Sequence, residues 1–165
     1  SMKPFGFRTF FNNFNNINNP DKLKIFANKK IGYVQNTLVQ TNREWIDKYK
    51  VLTSMAYGAG EGFPHQIMGK PILAEPKSVC TETYLVATSF DDEDQAKNFE
   101  KYMKTRFFRF LVMLKKNTQH ISKDRFAFVP DLPMNETWTD EKLYARYDID
   151  ADEQAFIESM IKEMV

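Results

Sequence analysis

At 165 residues, with 42% hydrophobic and 15% aromatic residues and charges of both signs dispersed, the chain has the composition of a packed globular protein, not of a disordered or fibrous one. A chain of this size buries about 70% of the surface its unfolded form exposes. The net charge of +1 conceals two halves, with 20 basic and 12 acidic residues up to Pro130 and 3 basic and 10 acidic residues beyond it.

Cys80 is the single cysteine, which excludes an internal disulfide and fits a buried thiol in a reducing compartment, so a cytoplasmic location is expected. No apolar run approaches the ~20 residues of a membrane-spanning helix, and the N-terminus lacks the pattern of a signal peptide. No membrane partner is therefore expected. Ser1-Met2 reads as a cloning remnant, and the chain as a piece of a longer protein.

In chain order, KPFGFRTFF (residues 3–11) suggests an extended segment, and Asn12 to Pro20 has the composition of a loop. Leu23 to Phe26 and Ile31 to Val34 are β-rich runs around Asn28-Lys29-Lys30, a predicted hairpin with a basic turn. Asn42 to Tyr49 suggests a helical turn, Lys50 to Tyr57 a strand that ends at Gly58, Gly60 and Gly62, and Val79 to Thr88 one central strand. Ser89 or Asp91 is the expected cap of a long helix to about Lys115, whose first turn holds Asp92, Glu93 and Asp94. Its apolar side reads as Phe99, Tyr102, Met103, Arg106, Phe107, Phe110, Leu111 and Leu114, with Arg109 turned to solvent or phosphate. Phe126 to Val129 suggests a strand, and Asp152 to Met164 an amphipathic helix with Phe156, Ile157, Met160 and Ile161 inward. The fold class expected is α+β, one domain with a mixed sheet packed by a long helix.

Several patterns bear on chemistry. Gly58-Ala59-Gly60-Glu61-Gly62 follows a strand but runs into Phe63-Pro64 instead of a helix, so it is a poor dinucleotide loop. His65 and His120 have no zinc spacing and no support as partners of Cys80, so no metal is expected. Asp131 with Asp140 and Lys142 formally fits a Mg²⁺ nuclease pattern, but Thr139 to Leu143 reads as a Thr-capped helix start instead of the strand such a site needs. The turn from Lys115 to Arg125 is polar and basic, and Gln119, His120, Lys123 and Arg125 there suit contact with bases and phosphates.

Four segments together carry a resemblance: KPFGFRT near the start, KYKVLTSMAYGAG (48–60), VCTETYLVATSF with its following helix and turn (79–130), and WTDEKLYARYDID (138–150). They resemble the C-terminal target-recognition region of type II restriction-modification enzymes, which include adenine-specific methyltransferases and fused endonuclease-methyltransferases. The resemblance implies that the chain reads double-stranded DNA in the major groove while linked domains carry the chemistry. Those domains would use S-adenosylmethionine and, in an endonuclease, Mg²⁺. The fragment lacks the Asp/Asn-Pro-Pro-aromatic motif that holds a flipped adenine, so it needs no cofactor and is not expected to methylate alone. The DNA contacts expected are Arg8, Lys29, Lys30, Ser54, Tyr57, Gly58, Gly60, Gln119, His120, Lys123 and Arg125, with 1–130 as a basic body and 131–165 as an acidic helical tail. Two alternatives stand beside this reading. One is a Mg²⁺-dependent nuclease fragment, and the other is a subdomain that holds a partner through the acidic helix without touching DNA.

Overall fold

Among the described residues, two three-stranded sheets and four α-helices give the α+β class expected from the sequence. The computed structural model describes residues 3–54, 62–118 and 124–165. The chain divides into two compact units, Ser1–Ala56 with Ile72–Ala96, and Tyr57–Pro71 with Lys97–Val165.

In the first unit, β1 (Lys22–Ala27) pairs antiparallel with β2 (Lys30–Gln35) and parallel with β5 (Ser78–Cys80). This is a mixed sheet with β1 at its centre. The second sheet is antiparallel and places β3 (Tyr49–Ser54) between β4 (Ile72–Ala74) and β6 (Tyr84–Phe90). The alternation of strand residues sends Leu23, Ile25, Val34 and Val79 into a core with Phe5, Phe7, Val39, Ile46 and Leu52. Each such side chain contributes about 1.5–3 kcal/mol of burial.

The hairpin reads from the sequence as it folds. Ala27 faces Lys30 across a two-residue turn, and Lys29 takes the left-handed conformation there, with φ 59°. Gly32 is required by close approach, because a Cβ there would lie 2.6 Å from the Phe14 ring and 2.8 Å from the Asn15 carbonyl oxygen.

Other expectations are corrected. The KPFGFRTFF segment is a series of turns and bends, closed by the Gly6 amide donating to the Lys3 carbonyl, with Phe5 and Phe7 buried and Phe10 exposed. The strand expected from Val79 to Thr88 is two strands in two sheets. The Thr81 N–H makes the last bond of the β1–β5 ladder, to the Phe26 carbonyl, and the Thr81 hydroxyl then turns to Thr83, where the chain crosses from β5 to β6. That second strand lies at an edge, with β3 in the middle. Residues 126–129 form turns and a bend, not a strand.

The long helix is also broken in two. Asp92, not Ser89 or Asp91, caps α1 (Glu93–Lys104) by accepting from the Gln95 amide at 2.9 Å. Thr105 then interrupts it, its hydroxyl donating to the Tyr102 carbonyl at 2.7 Å and accepting from the Phe108 amide at 3.1 Å. Both Asp140 carboxylate oxygens accept from the amides of Arg106 and Phe107 and start α2 (Arg106–Thr118). The break rotates the buried side of the helix. Phe108, Arg109, Val112 and Met113 are buried, while Phe110 and Leu111 are half-buried and Leu114 is exposed.

In the second unit α2 packs against α3 (Asp140–Arg146) and α4 (Ala151–Met160). Thr139 caps α3 as expected, and Asp150 with Glu153 forms a capping box on α4. The helix ends four residues earlier than the pattern suggested, because His65 accepts and donates backbone hydrogen bonds with Lys162 and Met160 and draws Ile161 into a bridge. Ile157 and Ile161 point inward, but Phe156 is 55% exposed.

Candidate nucleic-acid interface

The β1–β2 hairpin, Lys22 to Gln35, contains four lysines and no acidic residue. The first unit as a whole is nearly balanced, with ten Lys and Arg against nine Asp and Glu, so the hairpin is a local concentration of positive charge. Lys22 and Lys24 are two residues apart on β1 and therefore share its outer face, about 7 Å apart. Their register partners on β2 are Gln35 and Tyr33.

Below this face lies a depression of about 540 Å³ lined by Asn18, Lys22, Lys24, Tyr33 and Lys77, with Glu75 the acidic residue in its wall. A second depression of about 710 Å³ shares Pro20 with it and is lined by Asp21, Gln35, Asn36 and Arg43. The two form a polar furrow at the open end of the hairpin.

Local bonding sorts its cations. The Lys22 ammonium donates to the Asn15 side-chain oxygen at 2.9 Å and to the Ile17 carbonyl at 3.1 Å, which fixes the Asn-rich loop against β1. Arg43 is committed to the Asn36 and Val39 carbonyls and to the Asn36 side chain, so it braces the chain after β2. The Lys24 ammonium lies 5.2 Å over the Phe26 ring and remains exposed. Lys77 adopts φ 61° and is tied by its backbone to Ile46 and Lys24, which leaves an exposed side chain at the furrow wall.

Of the DNA contacts expected from the sequence, Arg8, Lys29, Lys30 and Ser54 fall in the first unit. Lys29 and Lys30 lie at the hairpin turn, while Arg8 and Ser54 neighbour the segment between β5 and β6, where Glu82 donates to the Phe7 carbonyl and Tyr84 pairs with Ser54. Arg8, Lys29 and Lys30 are exposed, and Ser54 is half-buried. Arg125 belongs to the second unit, half-buried in a turn, and burial pulls its guanidinium pKa below the ordinary value. Tyr57, Gly58, Gly60, Gln119, His120 and Lys123 lie outside the described residues. Lys22, Lys24, Tyr33, Gln35 and Lys77 were missed. For the four hairpin residues the signal was the Lys-Leu-Lys alternation opposite Tyr-Val-Gln, which puts the polar residues of both strands on one face; for Lys77 there was none.

Of the two arginines of TRFFRF, Arg109 departs from the expected role, while Arg106 is partly buried as expected but bonds a carbonyl. Arg109 is fully buried, not turned to solvent, and donates to the carbonyls of Lys104, Thr105 and Gln66. It closes the C-terminal end of α1 and anchors the segment around residue 66. Arg106 is half-buried and donates to the Ile161 carbonyl at 3.1 Å.

The nuclease pattern does not assemble a metal centre. Asp140 is spent on the start of α2, Lys142 reaches the Glu136 carboxylate and the Thr137 carbonyl, and Asp131 is exposed. Among the described residues no group of three or more His, Cys, Asp or Glu side chains is placed to hold a metal ion, and no helix is long and apolar enough to cross a membrane.

Two buried titratable groups lie together in the first unit away from the furrow. Lys50 is fully buried, and its ammonium donates to the carbonyls of Trp45, Ile46 and Lys48 at 2.7–3.0 Å and to Glu75 at 3.4 Å. Burial pulls its pKa down to about 8, against the opposing pull of Cys80 and Asp47. Burial likewise pushes the Cys80 thiol up to about 12, which makes it a neutral core residue and not a nucleophile.

Compared with protein-family models, with curated proteins and with solved structures, the chain matches none.

Proposed function

We propose that this chain is a sequence-specific DNA-recognition domain of a type II restriction-modification enzyme, which places a linked adenine-N6 methyltransferase, and in fused proteins an endonuclease, on its target site. The observation that carries the reading is the acid-free β-hairpin with four lysines on its exposed face and turn. A two-stranded ribbon fits the major groove of B-form DNA, and lysines along it neutralise phosphates on either side. Lys77 extends the basic surface at the furrow. S-adenosylmethionine, and Mg²⁺ for cleavage, belong in this reading to the linked domains.

The test is binding of the 165-residue chain to a pool of random duplex DNA by fluorescence anisotropy across a salt series, with the bound fraction sequenced. Affinity that falls steeply with salt, together with an enriched sequence, supports the reading. Affinity no greater than that of an unrelated neutral protein refutes it. In that event the partner-holding alternative gains, since α4 presents an exposed Phe156 beside the exposed acids Asp152, Glu153 and Glu158.

A further inference from the structure

We infer that Asn18 and Gln35 are the base-reading residues of the furrow and that each reads an adenine; this rests on the DNA-recognition reading above. The furrow and the loop beside it contain several side-chain amides, but they are not equivalent. The Asn15 oxygen accepts from the Ile17 amide and the Lys22 ammonium, the Asn19 oxygen from the Asp21 amide, and the Asn36 oxygen from Arg43. Those three hold the loop and the end of β2 in shape. Asn18 and Gln35 line the same furrow, are exposed, and make no side-chain hydrogen bond to any of the described residues.

An amide that is free on both its oxygen and its nitrogen offers one acceptor and two donors in a plane. That is the pattern that accepts from the adenine 6-amino group while donating to N7. A lysine presents donors alone and suits guanine or phosphate. The division of labour follows from position. Gln35 sits directly across the hairpin from Lys22, with Cα atoms about 5 Å apart, and Asn18 lies in the depression walled by Lys24 and Lys77. Asn18 therefore has the exposed cations Lys24 and Lys77 beside it to hold a phosphate while the amide faces a base edge, whereas the Lys22 beside Gln35 is engaged with the Asn-rich loop and fixes the backbone there. Gln35 is held by the β1–β2 ladder and Asn18 by the loop that Lys22 pins to β1, so both are presented from ordered backbone.

The test uses the whole chain with three variants, Asn18→Ala, Gln35→Leu and Lys24→Ser, each taken through selection from the random duplex pool and a salt series on the selected site. The expected wild-type pool contains adenine at two or more positions. Gln35→Leu and Asn18→Ala each lose the adenine preference at one of them, with affinity for the selected site down roughly tenfold to a hundredfold and the salt dependence unchanged. Lys24→Ser does the reverse, lowering affinity on all sequences and reducing the salt slope by about 0.9. Salt-dependent binding whose base preferences are untouched by both amide variants overturns this inference and leaves the recognition reading standing. Amide variants that weaken all sequences equally overturn it too. No salt-dependent binding by the wild-type chain overturns both.

Discussion

Replacing Lys50 with methionine tests the energetics of the first unit in a way that depends on pH. The ammonium is buried against carbonyl oxygens, three of them within 3.0 Å, without a carboxylate bonded to it. A fall in pKa from 10.5 to about 8, at about 1.4 kcal/mol per pH unit, means that keeping the charge buried costs the folded state about 3 kcal/mol at neutral pH. The variant removes that cost, but it leaves the Trp45, Ile46 and Lys48 carbonyls without their donor, at roughly 1 kcal/mol each. The two effects nearly cancel at pH 7. Between pH 8 and 10.5 the unfolded chain holds the Lys50 proton and the folded chain has released it, so this group makes wild-type stability rise with pH. Cys80 acts in the other direction above its ordinary pKa of 9.0, since burial keeps it protonated in the folded state, and for this reason the comparison is made between variant and wild type, in which Cys80 is common. The assay is urea unfolding of both proteins at pH 7, 8, 9 and 9.5. Lys50→Met is expected within about 1 kcal/mol of wild type at pH 7 and progressively less stable above pH 8, by about 1.4 kcal/mol per pH unit. A difference that is large at pH 7 and flat to pH 9.5 refutes the reasoning.

Arg109→Met leaves the carbonyls of Lys104, Thr105 and Gln66 unsatisfied in the second unit and is expected to destabilise it by about 3 kcal/mol, read by denaturant unfolding; a loss below about 1 kcal/mol contradicts the bracing role. Asp140→Ala removes the acceptor for the first two amides of α2 and is expected to cost about 1–2 kcal/mol, while plasmid DNA incubated with Mg²⁺ stays intact with either protein. Cleavage by wild type that disappears in the variant would revive the nuclease pattern. Gly32→Ala drives a methyl into Phe14 and the Asn15 carbonyl and is expected to cost about 1–3 kcal/mol in the same unfolding assay; an unchanged midpoint contradicts the close approach.

The elements with local signals were legible in the sequence. The hairpin was marked by its turn and its alternation, α3 by Thr139, and the fold class by mixed element types. What the sequence did not reveal depends on side chains distant in the chain. The break at Thr105 needs Asp140, 34 positions on from Arg106, to offer acceptors to new helix N–H groups, and no periodicity within residues 93–118 announces it. Arg109 was read as a surface cation because guanidinium groups are usually solvated, yet carbonyls at the end of α1 and at Gln66 supply its partners. The Val79–Thr88 run is uniformly β-prone, and β propensity carries no information about which sheet a residue joins. At the proposed interface, the hairpin turn lysines were visible as a basic turn. The furrow was not, since Lys77 reaches it only through the parallel pairing of β5 with β1.

The central claim is that the acid-free hairpin holds DNA phosphates. It is tested most directly by comparing the salt dependence of duplex binding between the wild-type chain and a triple variant, Lys24→Ser, Lys29→Ser and Lys30→Ser, all three exposed and outside the core. The account predicts salt-dependent binding by wild type and, in the variant, a log-log slope shallower by about 2–3 with unfolding stability unchanged. An unchanged slope, or a wild-type chain that does not bind, contradicts it.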